Sequence, residues 1–163
     1  MFLVDQKRIL VEISGYIYLI FLSLNKPKEN NMNTPFLPAT KELVIAVIEN
    51  LLYYGGKSNF AILPLGRDYY IQMATEKGAY QVYAEAVGNY YLYEDSLLSE
   101  DQINRLIELT WQPPDTKDGN FFLIHNVDSE HEREELAELI LYTASEVYGI
   151  HEIEEEQVDL NLE

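Results

Sequence analysis

Two stretches of alternating side chains, separated by a tight turn, constrain the fold of this chain most strongly. In residues 68–75 and 79–87, apolar and polar side chains largely alternate, and Glu76-Lys77-Gly78 lies between the two stretches. Successive side chains of a β-strand point to opposite faces, and a turn of this length joins neighbouring antiparallel strands. The pattern therefore predicts a hairpin with one buried face and one outer face.

Further segments extend this hairpin into a mixed domain. Residues 59–65 predict a strand before it, and residues 120–127 predict a later strand. Apolar residues at helical spacing predict three helices, capped by Thr40, Ser99 and Ser129. Ser99 and Ser129 are each followed three residues later by Gln or Glu, which is the pattern of a capping box. We therefore predict an α+β fold of order α-β-β-β-α-β-α, in which a three-strand meander plus a later strand form an antiparallel sheet packed by helices.

The predicted domain spans residues 40–150, and residues 1–39 form an N-terminal extension and linker. An apolar run follows a basic start in this extension. A signal peptide fits poorly because no small-residue cleavage site follows the run, and a membrane helix fits poorly because Glu12 interrupts it. We favour a mis-assigned start, with Met32 as the alternative first residue. A peripheral amphipathic or β segment is the other interpretation.

The charge of the chain limits its partners. Of 163 residues, 28 are Asp or Glu and 11 are Lys or Arg, which gives a formal net charge of −17. This field opposes binding to nucleic acid and to anionic membranes, so we expect neither partner. Residues 151–163 are especially acidic, and such a run predicts a solvated, mobile tail. The chain has no cysteine, which excludes disulfides and thiol nucleophiles and fits a reducing cytoplasm, the expected location.

The sequence contains no recognisable motif for catalysis, cofactor binding or metal binding. His125, His131 and His151 are not spaced to bind a metal on one helix face, and neither G-x-S-x-G nor G-x-G-x-x-G occurs. We therefore predict a non-enzymatic protein with no catalytic, cofactor-binding or metal-binding residues. An enzyme whose site is assembled from distant residues remains an alternative, and a deep pocket joining His125 to carboxylates would support it.

The outer face of the predicted hairpin is the candidate binding surface. Tyr70 and Gln72 of one strand share this face with Gln81, Tyr83 and Glu85 of the next. Aromatic side chains with polar tips are common in peptide interfaces. An antiparallel sheet also leaves one face in water without any function, which is the alternative interpretation.

A tyrosine-rich segment follows the hairpin. Tyr90, Tyr91 and Tyr93 either cap the edge of the core, with their hydroxyls in water, or form the rim of a binding site. On the second interpretation, Tyr91 and Tyr93 join the candidate binding residues. Trp111, the only tryptophan, is expected to fill the core between helix and sheet, with ligand stacking as the alternative.

Several short motifs resemble one bacterial family. They are Y-A-E-A-V-G-N-x-Y-L at 83–92, L-S-E-D-Q at 98–102, W-Q-P-P at 111–114, N-F-F at 120–122 and E-V-Y-G-I at 146–150. Over residues 40–150 the chain is similar to the YbjN and type III secretion chaperone-like group, described as peptide-binding (TY) chaperone domains. The chain departs from the family pattern at Leu109-Thr110-Trp111, where the family reads L-G-W. It also departs after Asn120-Phe121, where the family has a tryptophan with charged neighbours.

The resemblance implies a non-enzymatic module that holds a peptide or an unfolded segment of a partner protein. Since secretion chaperones of this shape often pair, it also implies a homodimer as one assembly. The alternative function is an acidic inhibitor or immunity-type protein that blocks a basic partner by charge complementarity. That alternative predicts binding that weakens steeply with salt and that requires the acidic tail.

Overall fold

The computed structural model describes residues 38–116 and 118–163, and in this part of the chain five strands form one antiparallel sheet of order β4-β3-β2-β1-β5. The helices are α1 (Pro38–Tyr53), α2 (Glu100–Glu108) and α3 (Glu130–Glu146). The strands are β1 (Asn59–Pro64), β2 (Tyr70–Thr75), β3 (Gln81–Ala86), β4 (Phe121–Asn126) and β5 (Asp159–Asn161). The predicted α+β class and the order through α3 are confirmed, and β5 is an additional strand. The predictions for residues 1–37, including the alternative start at Met32, lie outside the described residues.

The buried face of the sheet packs against α1 and α3. It carries mainly aliphatic side chains, namely Ala61, Leu63, Ile71, Met73, Val82, Ala84, Ala86, Phe121 and Leu123. They meet buried residues of the helices such as Ile48, Leu51, Leu136 and Ile140. By alternation with Val82, Tyr80 would join this buried set, but it lies one residue before β3 and is 64% exposed.

The helix starts follow the predicted caps in two cases of three. The Ser99 and Ser129 hydroxyls accept the backbone N–H of Gln102 and Glu132, whose side chains accept the serine N–H in return. Both capping boxes are therefore confirmed. The predicted cap at Thr40 is wrong, because α1 already begins at Pro38, and the fixed φ of proline suits the first helical turn.

Trp111 fills the core, as the sequence predicts. Its side chain is 1% exposed, and its indole N–H donates to the Thr143 hydroxyl over 2.8 Å. That hydroxyl donates in turn to the Leu139 carbonyl over 2.8 Å. The chain after α2 is thereby fastened to α3, and no polar atom of the indole is left unpaired.

The acidic C-terminal segment is part of the sheet, so the prediction of a mobile tail is wrong. Residues 159–161 pair antiparallel with β1, and Ile153 and Val158 are buried. The reason is an alternation that the charge obscures: Val158, Leu160 and Leu162 point towards the core between more polar neighbours. Apolar burial at the β1 edge outweighs the solvation of the flanking carboxylates.

Deletion of residues 158–163 should therefore lower the free energy of unfolding by about 2 kcal/mol or more, since it exposes several aliphatic side chains and one edge of β1. Urea denaturation followed by Trp111 fluorescence measures this change. The matched control is the double substitution Glu152→Gln and Glu156→Gln, which removes charge from exposed positions of the same segment and should leave stability nearly unchanged. Unaltered stability of the deleted protein would contradict a structural role for β5.

The end of α2 places a threonine in a conformation that favours glycine. Thr110 has φ 73°, while its N–H donates to the Ile107 carbonyl and the Trp111 N–H donates to the Leu106 carbonyl, each over 3.0 Å. This pair of bonds is the Schellman motif, whose left-handed residue is usually glycine. In the family pattern L-G-W this position is the glycine, and this chain has Thr110 in its place.

Thr110→Gly should raise the free energy of unfolding by about 1 kcal/mol, because it removes the clash of a β-branched side chain at positive φ. The control is Thr116→Gly in the following loop. Thr116 is exposed and does not have a positive φ. This control should be neutral or destabilising, since glycine adds freedom to the unfolded chain. Urea denaturation compares the two variants, and a loss of stability in Thr110→Gly would contradict the argument.

Candidate functional site

The face of the sheet opposite α1 and α3 is the candidate site, and we call it the open face. By strand register it carries Phe60, Ile62, Pro64, Tyr70, Gln72, Ala74, Gln81, Tyr83, Glu85, Phe122, Ile124, Asn126, Asp159 and Asn161. All of these side chains are half-buried or exposed. The face combines aromatic, aliphatic and amide groups, which is a composition suited to contact with polypeptide.

Cross-strand pairing arranges the middle of the open face in two rows, since directly opposed residues project to the same side. The first row holds, in order across the sheet, Asp159, Ile62, Gln72, Glu85 and Phe122. The second row holds Asn161, Phe60, Ala74, Tyr83 and Ile124. Glu85 therefore lies within a largely apolar and amide surface.

Neighbouring neutral groups hold the Glu85 carboxylate. Gln72 donates from Nε2 to Oε2 of Glu85 over 2.6 Å, and the Tyr83 hydroxyl donates to Oε1 over 3.1 Å. The Tyr83 ring stacks on the Phe122 ring, with centroids 6.0 Å apart and planes inclined by 25°. The carboxylate is thus oriented by two hydrogen bonds, and the ring that supplies one of them is itself packed.

Two tyrosines of the open face respond to this carboxylate. Burial is the largest cause that raises the pKa of Tyr83, and the hydrogen bond to Glu85 and its negative charge add to it. Burial likewise raises the pKa of Tyr70, the charges of Glu85 and Tyr91 add to it, and a 3.2 Å hydrogen bond from Asn120 acts in the opposite direction. The field of Glu85 therefore reaches both phenols, and Tyr91 lies close enough to influence Tyr70.

The structure brings most of the predicted site residues together. Tyr70, Gln72, Tyr83 and Glu85 are neighbours, and Gln81 lies at one end of the open face, where its Nε2 donates to Asn126 Oδ1 over 3.0 Å.

The tyrosine segment adjoins the face. Tyr91 belongs to a short 3-10 turn, Asn89–Tyr91, and its ring meets that of Tyr90 edge-on at 4.9 Å. Tyr93 is 71% exposed and lies further along the same loop. A role of these residues in binding stays a prediction.

Sequence reasoning missed the apolar half of the open face. Phe60, Ile62, Phe122 and Ile124 belong to β1 and β4, whose side chains are apolar on both faces, so that alternation does not separate inner from outer positions. Only the strand register assigns them to this face. It places Phe60 opposite Ala74, Ile62 opposite Gln72, Phe122 opposite Glu85 and Ile124 opposite Tyr83.

The loop that carries the tyrosines is held by asparagines. Asn89 exchanges hydrogen bonds with the backbone of Leu98, donating over 3.2 Å and accepting over 2.7 Å. Asn120 accepts the Gly88 N–H over 3.1 Å. A Cβ at Gly88 would lie 2.5 Å from the Gly119 carbonyl oxygen, so glycine is needed there. Gly88, Asn89 and Asn120 therefore have structural roles. Tyr83 and Glu85, which share one motif with Gly88 and Asn89, instead face outward.

His125 lies beside a recess of about 260 Å³ between β4 and the start of α3, lined by Ile124, His125, Asn126, Glu132 and Glu135. Its Nε2 is 3.1 Å from the Glu132 carbonyl oxygen. The Glu132 carboxylate caps α3, and hydrogen bonds from Ser129 are the largest cause that lowers its pKa. The recess is smaller than the roughly 300–1,000 Å³ usual for small-molecule sites, so it gives the enzyme alternative no support.

Within residues 38–116 and 118–163, no cluster of three or more His, Cys, Asp or Glu is arranged to hold a metal ion. Within the same ranges, no helix has the length and apolar character needed to cross a membrane.

Comparison with known proteins identifies a family. A family model described as T3SS (YopN, CesT) and YbjN peptide-binding chaperone 3 matches residues 41–155. This confirms the resemblance drawn from the short motifs over residues 40–150 and extends it to residue 155. Comparisons with curated proteins and with solved structures gave no match.

Glu85→Gln should lower the pKa of both Tyr83 and Tyr70, because removal of the negative charge makes each phenolate easier to form. NMR titration of protein labelled at the tyrosine ring carbons measures both values. Glu152→Gln removes the same charge from an exposed position of the C-terminal segment and should leave them in place. Equal shifts in the two variants would show that the open-face geometry is not the cause.

Proposed function

This chain belongs to the TY-Chap3 family of T3SS and YbjN peptide-binding chaperones, and we propose on that basis that it holds an extended polypeptide segment of a partner protein on the open face. One observation carries the proposal: aromatic and aliphatic side chains remain half-buried or exposed on the side of the sheet away from α1 and α3. Contiguous surfaces of this kind on a folded domain commonly mark interaction sites.

The chemistry of the open face suits an extended chain. Tyr70, Tyr83 and Phe122 offer large, stiff contact areas that lose little conformational entropy on binding. Gln72, Gln81 and Asn126 offer amides that can pair with the backbone of a bound segment. A polypeptide bound across the strands would therefore find both apolar contacts and hydrogen-bond partners without a deep cavity.

Binding to the face is favoured over addition to the β4 edge. Gln112 exchanges two backbone hydrogen bonds with Phe122, over 2.8 and 2.9 Å, and so occupies part of that edge. At the opposite edge, β5 already pairs with β1. An added strand would have only the remaining part of β4 or the outer side of the short β5 to pair with.

The proposed role involves binding without catalysis. It fits the description of the family as peptide-binding, and it fits the absence of a nucleophile, base or metal motif in the sequence. We propose the cytoplasm as its location, in keeping with a chain that has no cysteine.

The double substitution Tyr70→Ala and Tyr83→Ala should weaken peptide binding at least about tenfold, because truncation of central aromatic residues removes most of the energy of such interfaces. A random peptide library displayed on phage is selected on the full chain, and the affinity of a synthetic selected peptide is then measured by fluorescence polarisation. The control, Tyr53→Ala with Tyr80→Ala, truncates two exposed tyrosines outside the open face and should leave affinity unchanged.

Salt distinguishes the proposal from the acidic-inhibitor alternative. Contact with the open face predicts affinity that persists at high salt, since apolar contacts are not screened. Affinity that disappears at high salt and is unaffected by the double substitution would contradict the proposal and favour charge complementarity to a basic partner.

A further inference from the structure

We infer that Glu85 selects a cationic side chain, arginine or lysine, within the polypeptide bound to the open face. The inference rests on the proposed function and specifies which residue of the ligand the site recognises. It concerns a polypeptide that places one cation among apolar side chains, not a generally basic surface.

The charges of the open face have one sign. Among the positions that strand register assigns to this face there is no Lys or Arg, whereas Glu85 and Asp159 are acidic. Within residues 38–116 and 118–163, no ion pair involves Glu85, although Glu49, Glu108, Glu138 and Glu146 are paired with lysine or arginine. Within the described residues, Glu85 thus lacks a cationic partner.

The hydrogen bonds to Glu85 orient it without neutralising it. Gln72 and Tyr83 each occupy one carboxylate oxygen, and both donors are uncharged. A carboxylate has about four lone-pair sites, so acceptor capacity remains for the forked donors of a guanidinium or for an ammonium. Because the carboxylate is already fixed, a cation would bind without the usual cost of ordering both partners.

The surroundings of the carboxylate suit the rest of a cationic side chain. Phe122 is next to Glu85 in the same row, and the stacked Tyr83 ring supplies one of its hydrogen bonds. Aromatic faces attract guanidinium and ammonium groups. Ile62 lies beyond Gln72 in the row and offers apolar contact to the methylene stem of arginine or lysine.

Electrostatics supports the same arrangement. The charge of Glu85 contributes to the raised pKa of both Tyr70 and Tyr83, so its field extends across the aromatic part of the open face. A bound cation would offset this field. A neutral or acidic side chain at the same place would leave the carboxylate partly desolvated and without a counter-charge, which is the basis for selection.

The test uses the random peptide library and the full chain. Selection on the wild-type protein should enrich arginine or lysine at one position flanked by apolar residues. A synthetic selected peptide should bind Glu85→Gln about tenfold more weakly than wild type, in line with the loss of a charge-assisted hydrogen bond. The same peptide with its cationic residue replaced by glutamine should bind both proteins equally. Glu152→Gln, which removes an equal charge elsewhere, should leave the affinity of the original peptide unchanged.

A reciprocal pair keeps the inference falsifiable if Glu85→Gln folds poorly. Glu85→Lys should favour the selected peptide in which the cationic residue has been replaced by glutamate, and circular dichroism verifies the fold of each variant. Selected peptides without a positioned cation, or equal affinity for wild type and Glu85→Gln, would overturn this inference and leave the proposed function standing. A folded wild-type protein that enriches no peptide would overturn both.

Discussion

The register of β3 between β2 and β4 determines the character of both faces of the sheet. Met73, Ala84 and Leu123 lie side by side in this register and point to the helices, while Tyr83 and Glu85 point away from them. A shift by one residue would bury the carboxylate and expose the apolar set. The large difference in burial free energy between these two arrangements specifies the pairing, and with it the composition of the open face.

The helices depend on this register through the small side chains of β3. Ala84 and Ala86 occupy little space on the buried face, which leaves room for the large core side chains of α1 and α3. The Trp111–Thr143 hydrogen bond then fastens the end of α2 to α3. The rigid packing on one side explains how the opposite face can keep a fixed arrangement of side chains while it is open to solvent.

The order of elements through α3 could be predicted from the sequence because its signals are local. Alternation in residues 68–75 and 79–87 and the two capping boxes need only a few neighbouring residues to be recognised. The candidate site was predicted only in part, since β1 and β4 are apolar on both faces and their outer residues become identifiable only through long-range pairing. The C-terminal strand could not be predicted, because its alternation of Val158, Leu160 and Leu162 is short and follows an acidic run, a pattern that is typical of a solvated tail.

A sheet face that the described residues leave exposed, with several aromatic and aliphatic side chains, presents a physical problem, because such surfaces promote self-association as well as specific binding. Glu85 in the middle of this surface limits self-association, because a face-to-face contact between two copies would remove water from each carboxylate, and the strand positions of the face supply no Lys or Arg as a partner. The net charge of −17 adds repulsion at longer range. A bound segment that carries a cation supplies the missing partner of Glu85 and is attracted by the net negative charge of the chain. One carboxylate therefore both discourages pairing with a second copy through this face and favours the proposed ligand.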